Sequence, residues 1–408
     1  MKAIKLTILL LLVFSTNSFA QQSFVVEVVN PTNKSRSASP VSININKYKN
    51  IKSALVKCNG KEIPCQLDDI NMDDTYDELC FLTDINGMEH KKFTVTLYNN
   101  GEPKAYNPGV YVEMMLENKR IKESNKQDLY ISNLTVEKGT NAYWMLHHHG
   151  VAFESNLVAY RLYFDHRQTV DIYGKNHKGL ELKQTQFYPS KQQKEAGFGD
   201  DVLWVGNTLG VGALRGWYNN EPQMLNDVQH RTQRIISSGP IRTIVEVIDK
   251  NWKVNPQQPP IDMYQYYTLY ADHRDCAVDI TFSKSVGDYS FATGLINVKN
   301  STEFSDSKGL RGCWGTDWPV SEKDSLGHKR ETVGLGINIP QQYLKKELPA
   351  NNDNYVDIVT SKTNKIHYNI TFCSKNEDFG FNNEKEWNEY LKEWKYELCN
   401  PLTIHIIK

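Results

Sequence analysis

Long apolar runs are scarce in this chain. Leu6–Phe14 is the apolar block, and it falls short of the about 20 residues that a membrane-spanning helix needs. No membrane insertion is therefore expected. A surplus of charge is missing too: 47 Lys and Arg stand against 48 Asp and Glu, a formal net charge of -1. No global field draws the chain to nucleic acid or to an anionic membrane, and any anion has to be held by a local cluster. The seven cysteines never stand in C-x-x-C spacing, which removes the usual zinc sites. Cys58 and Cys65 flank NGKEIP, a hairpin turn, and are the pair expected to bridge; six of the seven could pair, and the odd count argues against a full disulfide framework. The chain has no P-loop, no G-x-G-x-x-G after a strand, no G-x-S-x-G elbow and no H-E-x-x-H. NTPase, dinucleotide-dependent and zincin chemistry drop out, and no cofactor is implied. Helical periodicity is absent until residue 383.

Strand patterns fill the rest. Residues 1–20 read as an export signal, with Lys2 and Lys5, the apolar block and Ser18-Phe19-Ala20 as a small-x-small cleavage site; an exported protein is expected. Alternating segments at 23–30, 40–46, 55–67 and 92–98 make an N-terminal β-rich unit over 21–100. Residues 101–408 form the main β-sandwich domain, or one continuous domain with 21–100. Strand signals recur through 130–299, separated by Gly, Asn and Asp clusters. Asn383 reads as an N-cap with Glu386 three residues on, and Trp387, Tyr390, Leu391, Trp394 and Leu398 then follow helical spacing. The fold class is all-β, a large antiparallel sandwich with one C-terminal helix. Its 22 Tyr and 8 Trp suit strands and equally suit stacking on sugar rings.

The stretch from His147 to Lys175 concentrates the chemistry. Val158, Tyr160, Leu162 and Phe164 share one strand face, while Ala159, Arg161, Tyr163 and Asp165 share the other. After a polar turn, Val170 and Ile172 oppose Asp171, Tyr173 and Lys175. The result is a β-hairpin with one apolar face and one face of Arg, Tyr, Asp and Lys, suited to an anionic, hydroxyl-rich ligand. His148 or His149 offers a general base or acid, since imidazole titrates near neutral pH. Tyr163 is its partner, and Arg161, Lys175 and Arg242 are candidate carboxylate clamps, with salt bridging as their ordinary alternative. Tyr173 is a positioning residue. Trp314 sits in C-W-G-T-D-W-P, a loop with two aromatic platforms for sugar stacking or for packing. Asp200 and Asp201 read as an ordinary acidic loop, with calcium as the alternative occupant. The histidines lack further ligands, and no transition metal is expected.

The pieces HHHG, ESNLVAYRLYFD, DIYGK, GDDVLWVGNTLGVGALRGW and SGPIRT are similar to a family of exported β-sandwich proteins from bacterial polysaccharide-utilisation systems, the ulvan oligosaccharide dehydratases among them. The resemblance spans residues 22–405. It implies a supersandwich related to galactose-mutarotase-like and polysaccharide-lyase folds. It also implies elimination of water from a non-reducing-end uronic acid of an oligosaccharide, giving a 4,5-unsaturated uronate. A polysaccharide lyase, a non-catalytic carbohydrate-binding protein and an epimerase on the same scaffold are the alternatives. Dehydratase is preferred over lyase: the resemblance points that way, and Gly197–Trp217 and Gly312–Trp318 are long enough to wall off one end of the groove.

Overall fold

The computed structural model describes residues 21–407; the export signal read at 1–20 lies outside the described residues. The largest sheet has nine antiparallel strands. In spatial order they are Asn133–Glu137, His230–Ser238, Arg242–Trp252, Ile261–Tyr270, Cys276–Phe282, Lys365–Ser374, Glu331–Asn338, Leu310–Asp317 and Thr302–Ser305. Period-two patterning sets its faces. Along Ile261–Tyr270 every second residue (Ile261, Met263, Gln265, Tyr267, Leu269) is buried, and the residues between are half-exposed. Two five-stranded sheets contribute to the same apolar core. One runs Asp200–Asp201, Val170–Gly174, Ala159–Tyr163, Gly150–Ser155, Val110–Glu113; the other is built around Phe291–Ile296 and Asn354–Val359. Val158, Tyr160, Leu162, Phe164, Val170 and Ile172 all enter that core, so the hairpin's apolar face points where its alternation demands. The architecture is the all-β supersandwich expected, with one long C-terminal helix.

A smaller sandwich packs beside it. Its five-stranded sheet places Gln21–Val29 between His90–Tyr98 and Thr403–Ile407, and a three-stranded sheet of Arg36–Asn44, Glu78–Ile85 and Cys65–Asp68 covers it. The last strand therefore belongs to the N-terminal sandwich. Arg242 ties the two units: its guanidinium donates to Asp68 at 2.8 Å, Glu78 at 2.8 Å and the Tyr270 hydroxyl at 3.1 Å. That long-range ion pairing engages it away from the histidine pocket. Cys58 and Cys65 do not bridge; both are free and buried as small apolar groups.

The helix Glu384–Cys399 begins on Asn383, whose side chain accepts from the Glu386 N–H at 3.1 Å. Trp387, Leu391 and Trp394 lie against the nine-stranded sheet. The approach needs glycine: a Cβ on Gly334 would meet the Trp387 ring at 2.8 Å, and one on Gly336 would meet Leu391 at 2.4 Å. Trp314 packs in the same cluster, on a strand instead of a loop, so it is no platform beside the hairpin. Gly312–Trp318 is likewise mostly strand, and Gly197–Trp217 runs from the end of the stretch over the hairpin into a largely buried segment from Val202 to Gly216.

Candidate active site

The hairpin's polar face is real, and the fold closes half of it. Arg161 pairs across the strands with Asp171, so both lie on one face together with Tyr163 and Tyr173. Over that face runs a roof, residues 181–199, whose Leu182 and Phe187 pack on Ala152, Ala159 and Tyr173. The roof is bolted at one end. Glu154, fully buried, accepts from the backbone N–H groups of Glu181 at 2.9 Å and Leu182 at 2.8 Å, and from Lys175 Nζ at 2.5 Å. Lys175 completes its set with the carbonyls of Ser155 and Gly179. The Tyr173 hydroxyl donates to Glu181 at 2.9 Å. Tyr173 and Lys175 are both fully buried and cannot reach a substrate. Burying an ammonium requires such pairing, which is why this candidate clamp became a fastener.

The other half stays open. A pocket of about 450 Å³ is lined by His147, His148, His149, Trp144, Tyr188 and the loop from Glu117 to Gln127, with Lys119 and Lys122 on it. The three histidines end where the strand Gly150–Ser155 begins. A Cβ on Gly150 would lie 1.7 Å from the Leu162 carbonyl oxygen, so only glycine lets the strands pair directly behind the histidines. His149 itself is left-handed at φ 68°, and so are Gln186 at 47° and Phe187 at 68° in the roof, just before the pocket residue Tyr188. Such backbone is uncommon for these residue types and collects at functional sites. The Gln186 side chain is pinned by two bonds to the Gln127 backbone, at 2.8 and 2.9 Å, which joins the roof to the pocket wall.

Beneath the pocket lies Arg161, 3 % exposed. Its guanidinium sits 4.0 Å from the Phe187 ring centroid, binds Asp171, and donates to Asp201 and to the Tyr188 hydroxyl, each at 3.0 Å. Arg161 Nε has no partner. Tyr163, 3 % exposed, donates its proton to Asp171 at 2.8 Å, and burial holds that phenol well above the usual range. It is a second support for Asp171, not a group in reach of substrate. Asp201 is pushed well above the carboxylate range by burial and by Asp171 beside it. Asp200 pairs with Lys194, so both residues of the acidic loop face cations. Among the described residues no cluster of three or more His, Cys, Asp or Glu has metal-holding geometry.

The histidine protonation states follow from their neighbours. His149 Nδ1 lies 3.0 Å from the Tyr143 carbonyl, which can only accept, so Nδ1 carries the hydrogen and Nε2 is a bare lone pair. His149 stacks on Tyr143 at 3.8 Å, which fixes the ring, and Trp144 stands edge-on to it, 71 % exposed. Burial, then the Arg161 charge, lowers its pKa to about 3, so the imidazole is neutral near pH 7. His148 Nδ1 likewise donates to the Gly150 carbonyl at 2.9 Å, leaving Nε2 to accept 3.3 Å from Glu113. That bond needs a protonated Glu113, and burial raises its pKa to about 8. His148 is thus a buried structural histidine. His147 Nε2 is buried at the pocket with no partner.

Two larger hollows, of about 500 and 600 Å³, lie on the other face of the nine-stranded sheet. Their histidines are engaged at both nitrogens: His273 by Asp275 and the Ala38 carbonyl, His367 by Asp279 and Asn369. Of these three pockets, among the described residues, the smaller one presents an imidazole with a free lone pair, so size is the poorer guide here. Of the sequence candidates, His148, His149, Arg161 and Tyr163 come together; Tyr173 and Lys175 lie under the roof, and Arg242 and Trp314 lie elsewhere. Tyr188, Trp144 and Glu113 are new. Only Trp144, three residues before the histidines, carried a local signal.

A family model described as "Domain of unknown function (DUF4861)" matches residues 28–404. No curated protein matches. Among solved structures, an alpha-mannosidase from Enterococcus faecalis superposes with a TM-score of 0.50 at 10% identity, over 95% of this chain and 46% of that one. A glycosyl hydrolase family 38 protein from Enterococcus faecalis gives 0.47 at 10% identity, over 95% and 47%. The chain thus spans about half the length of the structures it matches, and the first likeness shows the fold alone.

Proposed function

The chain belongs to the DUF4861 family, and we propose that it is an exported carbohydrate-active lyase that eliminates water from a terminal uronate of an oligosaccharide. The observation that carries this reading is the pairing, in one pocket, of a neutral imidazole with a bare Nε2 and a tyrosine hydroxyl backed by a buried guanidinium. His149 Nε2 takes the proton from the carbon beside the uronate carboxylate. The bond from the next carbon to its oxygen breaks, and Tyr188 gives that oxygen its proton, releasing water. Burial raises the Tyr188 pKa, so the phenol holds its proton until the oxygen leaves. Arg161, 3.0 Å away, stabilises the phenolate left behind. A proton passed from His149 back to Tyr188 closes the cycle. Lys119 and Lys122 are the pocket cations that attract the carboxylate, and Trp144 is the platform for the sugar face.

The preference for dehydratase over lyase rests on the sequence resemblance, and the Glu117–Gln127 loop on one side of the pocket agrees with an end-binding site. Mass spectrometry of products from a panel of uronate oligosaccharides tests both. A dehydratase returns the chain whole and lighter by one water; a lyase returns two shorter pieces. A second reading, sugar binding without turnover, is favoured by one feature: both terminal nitrogens of Arg161 already meet protein groups, so no buried free cation faces the substrate carboxylate. Binding of the panel with no change in mass would establish that reading.

A further inference from the structure

We propose that Arg167, acting through Tyr143, is a positioning residue for His149. The inference rests on the reading of His149 as the base, and its first readout needs no substrate.

His149 does little to place itself. Its backbone is left-handed at φ 68°, and such backbone persists only where the surroundings hold it. Its ring depends on one neighbour twice. The Tyr143 carbonyl accepts from Nδ1 at 3.0 Å, and the Tyr143 ring lies 3.8 Å away and within 7° of parallel. The bond sets the tautomer and the stack sets the tilt, so together they aim the bare Nε2.

Tyr143 in turn needs a holder. It sits in a single 3₁₀ turn, Ala142–Trp144, where the Asn141 side chain accepts from its N–H at 3.0 Å. So short an element fixes the backbone and leaves the ring to its neighbours. That ring meets Tyr163 edge-on at 5.3 Å, and the Arg167 guanidinium carbon stands 4.4 Å from its centroid and 4.9 Å from that of Tyr163. A cation over two phenol faces is attracted to both. Arg167 is itself anchored. Its backbone N–H donates to Asp165 Oδ1 at 2.8 Å, its Nε donates to Oδ2 at 2.7 Å, and its Nη2 lies 2.6 Å from the same oxygen. The planar fork is what lets one side chain grip a carboxylate and cover a ring together. An Asp165–Arg167 pair that only closed the turn would not have to reach Tyr143. Burial and then Arg161 keep His149 neutral, and the Arg167 charge acts in the same direction.

NMR of the full chain labelled with ¹⁵N-histidine tests this, the His149 signals being those lost in His149→Ala. The parent should show one tautomer, with the hydrogen on Nδ1. Arg167→Gln should give a tautomer mixture, and Arg167→Lys should recover part of the parent signal, because charge returns without the fork. On uronate oligosaccharides Arg167→Gln should lower kcat by about tenfold to a hundredfold and leave KM in place, as expected of a misaimed base. Tyr143→Leu removes the ring and keeps the carbonyl; it should reproduce the tautomer mixture, and the double variant should be no worse than the more impaired single one, since both changes break the same chain of contacts. An unchanged His149 signal in Arg167→Gln, additive effects in the double variant, or a loss confined to KM would each overturn the proposal. A parent that turns over no uronate would sink the reaction assigned above, and the His149 signals would still decide the positioning role.

Discussion

Two buried cations of one hairpin, Lys175 and Arg161, met opposite fates. Lys175 donates to Glu154, Ser155 and Gly179, which uses all three hydrogens of an ammonium. Glu154 in turn accepts from Lys175 and from two roof amides. That circuit is closed. Arg161 is just as buried, yet its Nε has no partner and one of its bonds goes to Tyr188, which lines a pocket. That circuit is open. The contrast separates a cation whose partners all lie within the fold from one that reaches a pocket residue, although positive charge, strand phase and burial are shared.

The comparison breaks first at the open end. His149→Ala should lower turnover on uronate oligosaccharides by about 10²–10⁴-fold, the usual contribution of a general base. Its melting temperature should stay near that of the parent. Tyr188→Phe should act similarly on turnover. Steady-state kinetics beside thermal melts checks both, and unchanged turnover in either variant would remove that residue from the mechanism.

At the closed end the signature inverts. Lys175→Met leaves Glu154 buried without its cation and should destabilise the fold by about 3–5 kcal/mol, as for other broken buried pairs. Urea denaturation reads it. A variant as stable as the parent would show that Lys175 is not the fastener described above.

Acidity sharpens the contrast next. Glu113, raised to about 8, keeps its proton in the folded chain over the window from about 4.5 to 8, where the unfolded chain gives it up. Its contribution to stability is therefore lost as pH rises through that window. His148 and His149, both lowered to about 3, act in the other direction: the unfolded chain takes up protons below 6.5, and stability falls as pH drops toward 3. Glu113→Gln should flatten the decline between pH 5 and 8 and leave the acid limb in place. Denaturation midpoints across that range test it, and an unchanged slope would show that Glu113 is not the titrating group. The smallest effect belongs to the rim. Trp144→Ala should raise KM by up to about tenfold, with kcat and melting temperature unchanged, because an exposed aromatic platform contributes about 0.5–1.5 kcal/mol to a contact.

Local pattern by itself determined much of this protein. Alternation of period two placed Val158, Tyr160, Leu162 and Phe164 in the core and Arg161 and Tyr163 on the opposite face, because strand side chains must alternate. The Asn383 cap and the Trp387, Leu391, Trp394 stripe defined the helix, because capping and helical spacing are also local. Tertiary structure alone decided what covers each polar face. Lys175 and Tyr173 have the same strand phase as Arg161, but the roof bolted to Glu154 and Glu181 falls on them and stops short of His149. Arg242 and Trp314 carried plausible chemistry in sequence, and distant partners, Asp68 and the C-terminal helix, claimed them for packing. Tyr188 carried no signal, since its role depends on Arg161, 27 residues away, reaching its hydroxyl. A buried charge is structural or functional according to whether its last partner comes from the chain, and that partner is chosen over distances no local period encodes.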